Sequence, residues 1–321
     1  MNTPPNLIRR SVLPLILAGV ALLMPSCIEN STVIRVRKDG GGEIFARYHF
    51  SPQMTGMLGM MNGLAASGLQ VEGAESAKPP QMPTADSLLK PSQESLEQGA
   101  SAYGEGVKFV RQEPGKNAAG WDGYLAVYQF DDINKLSFDP NNPPGPLNDL
   151  AKMNPEAAAE LKKQTDGKDP GVKFTMADGT LTIDTGMNTE SIKKISEGAG
   201  GGLGGGDSPL SGPNGAQIDP AAAMQMAAGM FQGMRLAYFI RIDGEIAETN
   251  ATHVEDTLIT MTDMQPAKMM TDPKFAEIIK QGEQFQTTEP TEAQVQEMME
   301  KVEALDGVTI EAQKQIFVRF K

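Results

Sequence analysis

Methionine is the residue whose number and spacing could carry chemistry in this chain. There are 20 among 321 residues, and many stand a few residues apart: Met54, Met57, Met60 and Met61, then Met224, Met226, Met230 and Met234, then Met261 and Met264. Thioethers at helical spacing can coordinate Cu(I). They also make adaptable apolar surfaces for a partner or for lipid tails, and, most simply, they fill helix cores with a flexible side chain. No His or Cys is interleaved with these runs, so copper is the weakest of the three uses and no metal site is expected. Met54, Met57, Met60, Met61, Met230 and Met234 form the candidate apolar binding surface.

The remaining reactive groups do not assemble into a catalytic set. His49 falls on the outward face of a predicted strand and His253 in a loop, so both are expected to be solvated. Asp131 and Asp132 could act as paired acids but read as a solvated strand end. Asp139-x-Asn141 opens like a calcium loop and lacks the glycine and closing glutamate of one. No Gly-x-Ser-x-Gly, His-Glu-x-x-His or Cys–His arrangement occurs. The glycine run at 198–206 lacks the Gly-Lys-Ser/Thr of a phosphate cradle. The expectation is a non-enzymatic protein with no catalytic residue and no cofactor.

Cys27 is the only cysteine. It follows Arg9 and Arg10, an apolar run from Val12 to Met24, and Ser26. That order is the build of a secretory signal, and the run is short of the ~20 residues a spanning helix needs. The stretch resembles the lipobox of bacterial lipoproteins, with Met24 where leucine is commonest and Pro25 an unusual neighbour of the small residue. Arg9-Arg10-Ser11-Val12-Leu13 also resembles a twin-arginine export motif. The lipobox resemblance implies removal of residues 1–26, a diacylglyceryl group on the Cys27 thiol, and a membrane-anchored protein of the cell envelope. Inner and outer membrane are not distinguished.

The chain carries a net charge of −13. Loss of residues 1–26, which hold Arg9 and Arg10 and no acid, takes it to −15. Phosphate recognition needs clustered Lys and Arg, so nucleic acid is excluded as a partner. Broad adhesion to anionic lipid is disfavoured too, which leaves the acyl group to hold the membrane. An envelope protein is the remaining candidate partner.

These residues have to be positioned by an α+β chain. Residues 31–37 and 43–50 alternate around Lys38-Asp39-Gly40-Gly41-Gly42, a hairpin signal. Ser51-Pro52 supplies a helix start, and Met54, Met57, Leu58, Met61 and Leu64 follow at helical spacing. A second helix is expected over about 91–103, strands over 107–112 and 123–130, a helical turn at 131–136 and a hairpin near 172–185. Beyond a glycine-rich stretch come a helix over 220–234, a strong strand over 236–243 extended by 245–248, and a return strand over 257–262. Helices over 273–285 and 290–305 follow. In the latter, Ala293, Val295, Met298, Met299, Val302 and Leu305 are expected to face inward. Residues 308–312 and 316–320 read as a closing hairpin. The division is residues 1–26 as signal, 27–138 as a first α+β unit, 139–197 as a Pro/Asn-rich connection, 198–219 as a flexible linker, and 220–321 as a second α+β unit. Each unit is expected to hold one antiparallel sheet with helices packed on one face. Ile34-Arg-Val-Arg-Lys-Asp-Gly and Ile240-Arg-Ile-Asp-Gly begin the two units alike, through duplication of a hairpin–helix–hairpin plan or through convergence on Asp-Gly turns.

The stretch from Arg235 to Met270 resembles the C-terminal part of LppM-type bacterial lipoprotein domains. The resembling residues are Ile242-Asp-Gly244-Glu-Ile246, Glu248-Thr249-Asn250-Ala251, the strand after them and the apolar segment beyond. The resemblance implies an envelope-anchored α+β module and brings no catalytic residue.

Overall fold

The computed structural model describes residues 28–66, 84–138, 171–186, 228–229, 231–278, 281 and 291–321. The expected signal, Cys27, Met230, most of the 139–197 connection and all of 198–219 lie outside them. The first hairpin forms as expected, with β1 at Ile28–Arg37 and β2 at Gly42–Phe50. Its turn is closed by Gly40 N–H donating to the Arg37 carbonyl at 2.9 Å. At φ 86° Gly40 occupies a conformation that suits glycine best. Ser51 then accepts a hydrogen bond from the Met54 N–H at 3.2 Å and starts α1, Pro52–Ala66. Pro52 is tolerated there because the first helical N–H has no intrahelical partner.

Two short helices follow, α2 at Ala85–Leu89 and α3 at Gln93–Ala100, capped by the hydroxyls of Thr84 and Ser92. Strands β3 (Lys108–Lys116) and β4 (Asp122–Phe130) come next, then β5 (Ser137–Phe138) and the hairpin β6 (Val172–Ala177) and β7 (Thr180–Asp184). The second half supplies β8 (Arg235–Asp243), β9 (Ile246–Thr249), β10 (Val254–Glu255), β11 (Leu258–Met264) and α4 (Pro266–Thr271). It ends with α5 (Glu292–Glu303), β12 (Val308–Ile310) and β13 (Gln315–Phe320). Thr291 and Gln294 form a reciprocal capping box at the start of α5.

The pairing corrects the expected arrangement of sheets. The larger sheet runs β10-β11-β8-β1-β2-β4-β3, with β12 joined to β11, and the smaller runs β5-β6-β7-β13-β9. Each takes strands from both sides of residues 198–219, so the sheets are not one per unit. The larger sheet is also mixed rather than antiparallel, because β1 lies parallel to β8, Glu29 opposite Arg235 through Arg37 opposite Asp243. Neither local pattern could show this: a parallel pair is joined by a long crossover and leaves no turn signature.

Two further expectations change for the same reason. Residues 245–248 do not extend β8 in its own sheet, because the chain bends at Gly244 (φ 139°) and β9 joins the smaller sheet. The closing hairpin is not one either, since β12 pairs with β11 and β13 with β7 and β9. Of the residues expected to face inward over 290–305, Ala293 is exposed, while Met298 of α5 and Leu305 just beyond it are buried. The side chains of Val295 and Met299 lie outside the described residues.

The inner faces of both sheets share one core. Ile34, Val36, Ile44, Tyr128 and Ile240 come from the larger sheet; Phe174, Leu181, Ile183, Ile316 and Val318 come from the smaller. Met54 and Leu58 of α1, Leu88 of α2 and Leu96 of α3 complete it. Phe275, Leu305 and Val308 form a separate small cluster.

Because both sheets cross residues 198–219, cutting the backbone there is expected to leave the halves bound together. A specific protease site inserted in that stretch and cleaved should give two fragments on a denaturing gel and one species in native size exclusion. Two separate native species would contradict the shared sheets.

Candidate functional site

The methionines of α1 divide by face. Met54 and Leu58, one turn apart, are fully buried in the core, so Met54 is core and not binding surface as expected. Met57 is half-buried, while Met60 is 68% exposed. Met234 is half-buried; the side chain of Met61 and all of Met230 lie outside the described residues. Of the candidate surface, the structure therefore presents Met60 fully and Met57 and Met234 in part.

The histidines are less solvated than their positions suggest. His49 is 9% exposed, although it lies on the outer face of the larger sheet. Its ring lies over Gly123, where a Cβ would collide with the Tyr48 carbonyl oxygen and stand 2.8 Å from His49 Cδ2. Its Nδ1 is 3.8 Å from Glu29 Oε2. Burial lowers the His49 pKa, Glu29 opposes that, and Arg47 adds to the lowering. Glu29 in turn accepts from Asn117 Nδ2 at 2.5 Å and lies 3.9 Å from Arg235, which holds Asp263 through two hydrogen bonds of 2.9 and 2.7 Å. His253 Nε2 meets Glu303 Oε1 at 2.7 Å rather than standing free in a loop.

Beside His49 the outer face carries a trough of about 240 Å³, lined by Arg47, Glu113, Gly115, Lys116 and Leu125. Gly115, the register partner of Gly123, leaves open space on its side of the trough. Its Glu113 is held by Arg111 at 2.6 Å and its Lys116 by Asp122 at 2.7 Å. Tyr124 also lines it, and no serine, threonine or cysteine does so among the described residues. Among the described residues, no group of three or more His, Cys, Asp or Glu is placed to hold a metal ion. Asp132 caps a helical turn by accepting from Asn134 N–H at 3.0 Å, a structural use of the expected acid pair.

One cluster was not anticipated. All five tyrosines, Tyr48, Tyr103, Tyr124, Tyr128 and Tyr238, are buried. Tyr48 and Tyr124 are register partners with ring centroids 5.3 Å apart, and Tyr103 packs on Tyr128 at 5.0 Å. Phe138 of the smaller sheet lies 4.4 Å from Tyr238 of the larger. Asn30 and Thr32, opposite Tyr48 and Tyr238 respectively, are buried with them. Burial pushes Tyr48 up to about 12 against a lowering by its hydrogen bond with Tyr103. Tyr103, Tyr128 and Tyr238 are raised as well, with burial the main cause. The only sequence signal was the alternation that puts Tyr48, Tyr124 and Tyr128 on inward positions of their strands.

These features define a sheet-rich α+β protein with two sheets over one core. Among solved structures, it is similar to the folded domain of the LppM protein of Mycobacterium tuberculosis, at 11% identity and a TM-score of 0.25, over 76% of this chain and 85% of that one. At that identity and overlap, nothing about function passes from one to the other. No protein-family model and no curated protein matches the chain.

The two faces of α1 should separate in stability measurements. Met54→Ala is expected to cost about 2–5 kcal/mol, as for a buried methionine, and Met60→Ala to stay within about 0.5 kcal/mol of wild type. Urea unfolding of both variants checks this.

The tyrosines should make the fold sensitive to alkali. Their folded pKa values lie above the ordinary 10, so their contribution is intact below pH 10 and is lost as pH rises through the raised values, which for Tyr48 means about 12. Four such groups approach a combined slope of about 5 kcal/mol per pH unit over that window. Tyrosinate absorbance should therefore appear together with loss of circular dichroism. Ionisation of these four on a folded chain near pH 10 would contradict the burial.

Proposed function

We propose that the chain is a non-enzymatic envelope lipoprotein, anchored by an acyl group on Cys27, whose sheets serve as a structural or protein-interaction module. The observation that carries this reading is the order of residues 6–28. A signal-like stretch ends at a lone cysteine, and the next residue, Ile28, is already the first of β1. The histidines fit the non-enzymatic part, since one pairs with Glu303 and the other is packed over Gly123 beside Glu29. No helix among the described residues is long and apolar enough to cross a membrane, and the proposed anchor needs none.

The rival reading, a carrier of apolar ligands through the methionine-rich helices, needs space beneath α1. Met54 and Leu58 fill that side and are fully buried, while Met60 faces outward. An exposed methionine on an outer face suits contact with a surface better than enclosure of a ligand.

Replacing the acylated thiol tests the anchor. Cys27→Ser, expressed in the native envelope, is expected to leave the membrane fraction and appear as soluble protein. A variant that stays membrane-bound at unchanged precursor length would show an uncleaved anchor and overturn the proposal.

A further inference from the structure

Helix α1 stands out by what it lacks. From Ser51 to Val71, twenty-one consecutive residues carry no charge, in a chain where 21% of residues are charged. A surface helix normally shows charged and polar residues on its outer side. Here Pro52, Gln53, Gly56, Gly59, Met60 and Gly63 are the exposed ones, and their spacing places them on one face opposite Met54 and Leu58. Met60 is one of three large hydrophobic side chains that stand exposed among the described residues.

The place of that face in the fold supplies its occupant. Ile28, the residue after Cys27, is the register partner of Phe50, and α1 begins two residues later at Pro52. Paired strand residues lie about 5 Å apart, and each further residue adds at most ~3.8 Å. The first turn of α1 is therefore held within roughly 20 Å of the Cys27 backbone, with no spacer to let it move away. The charges at this end of the sheet are largely matched. Arg235 meets Asp263 at 2.7 Å, Lys116 meets Asp122 at 2.7 Å, and Glu29 is bonded by Asn117. An acidic protein brought to a bilayer thus presents its uncharged helix and a paired set of charges on that side.

We infer that the exposed face of α1, with Met60 at its centre, rests on the lipid surface into which the Cys27 acyl chains insert, and so sets the orientation of the folded body on the membrane. This rests on the anchor proposed above. It adds a second contact that does not depend on anionic lipid, because the face has no charge to attract one.

The full acylated chain allows a direct test. Its one cysteine is blocked by the acyl group, so Met60→Cys and Asp131→Cys each introduce one reactive thiol. Asp131 is exposed and follows β4 at the opposite end of the sheet, where Phe130 pairs with Gly42. Each variant is labelled with an environment-sensitive fluorophore and reconstituted into phosphatidylcholine vesicles containing lipids with a nitroxide near the glycerol. Co-sedimentation is measured on the same samples. The expected result is co-sedimentation of both, with several-fold stronger quenching at position 60 than at 131. Co-sedimentation with equal, weak quenching at both positions would overturn the lipid-facing helix and leave the anchor standing, with α1 free for a protein partner. Failure to co-sediment would remove the anchor, and the inference with it.

Discussion

The parallel pairing of β1 with β8 is the constraint on which the rest of the structure depends. Nine registered residue pairs join strands some two hundred positions apart, Glu29 opposite Arg235 to Arg37 opposite Asp243. Once made, the pair gives β1 neighbours on both sides, and β2, β4 and β3 extend outward from one of them. On the other side β8 carries β11, which in turn carries β10 and β12. Closing so long a loop costs only slightly more entropy than closing a shorter one, but it must be met before any contact repays it. The larger sheet is therefore one assembly drawn from both halves of the chain rather than two local units that dock.

The smaller sheet follows from how the chain leaves the larger one. Three crossings between the sheets lie in the C-terminal half, at Gly244-Glu245, over residues 250–253 and over residues 311–314. The last two are secured by polar groups. Glu311 is almost fully buried, and its carboxylate accepts from Thr252 N–H at 2.6 Å, Thr252 Oγ1 at 3.1 Å and Gln313 N–H at 3.1 Å. An acid taken out of water is tolerable only with donors of this kind. Thr249 Oγ1 donates to the Phe317 carbonyl at 2.7 Å, and Asn250 both accepts from Phe317 N–H and donates to the Gln315 carbonyl. The Thr249-Asn250-Ala251 run thus extends the edge of β13 with side-chain bonds where β9 ends. Only its Ala251 N–H bond to Thr249 is the local loop bond that such a run suggests by itself.

What the sequence made legible is what local chemistry decides. The hairpins at 28–50 and 172–184 are written in alternation and in turn residues, and Asp178 and Gly179 take the positive φ values of 50° and 72° that such a tight turn requires. The start of α1 at Ser51-Pro52 and the capping box at Thr291 are equally local. The sheet order was not legible, because β1 pairs with a strand whose own pattern only says that it is apolar. His49 shows the same limit at the level of one side chain. Its strand position points outward, yet its burial comes from Glu29 on one neighbouring strand and from Gly123, a residue without a side chain, on the other.

Methionine content shows why residue type and position must be read together. Met54 and Met60 sit six residues apart, which on a helix turns them about 240° from each other. One packs beside Leu58 at an interval of four, and burial of such a side chain contributes roughly 1.5–3 kcal/mol. The other follows Gly56 at the same interval and stands 68% exposed. No atom lies within 4 Å of where a Cβ would be at Gly56, Gly59 or Gly63, so close internal packing does not require glycine there. Each glycine weakens the helix by about 0.5–1 kcal/mol relative to alanine. The buried face of Met54 and Leu58 must offset that loss, since a helix of this composition is marginal without tertiary contacts. The stability of α1 therefore comes from its inner face, and the residues of its outer face are free to answer to something outside the fold.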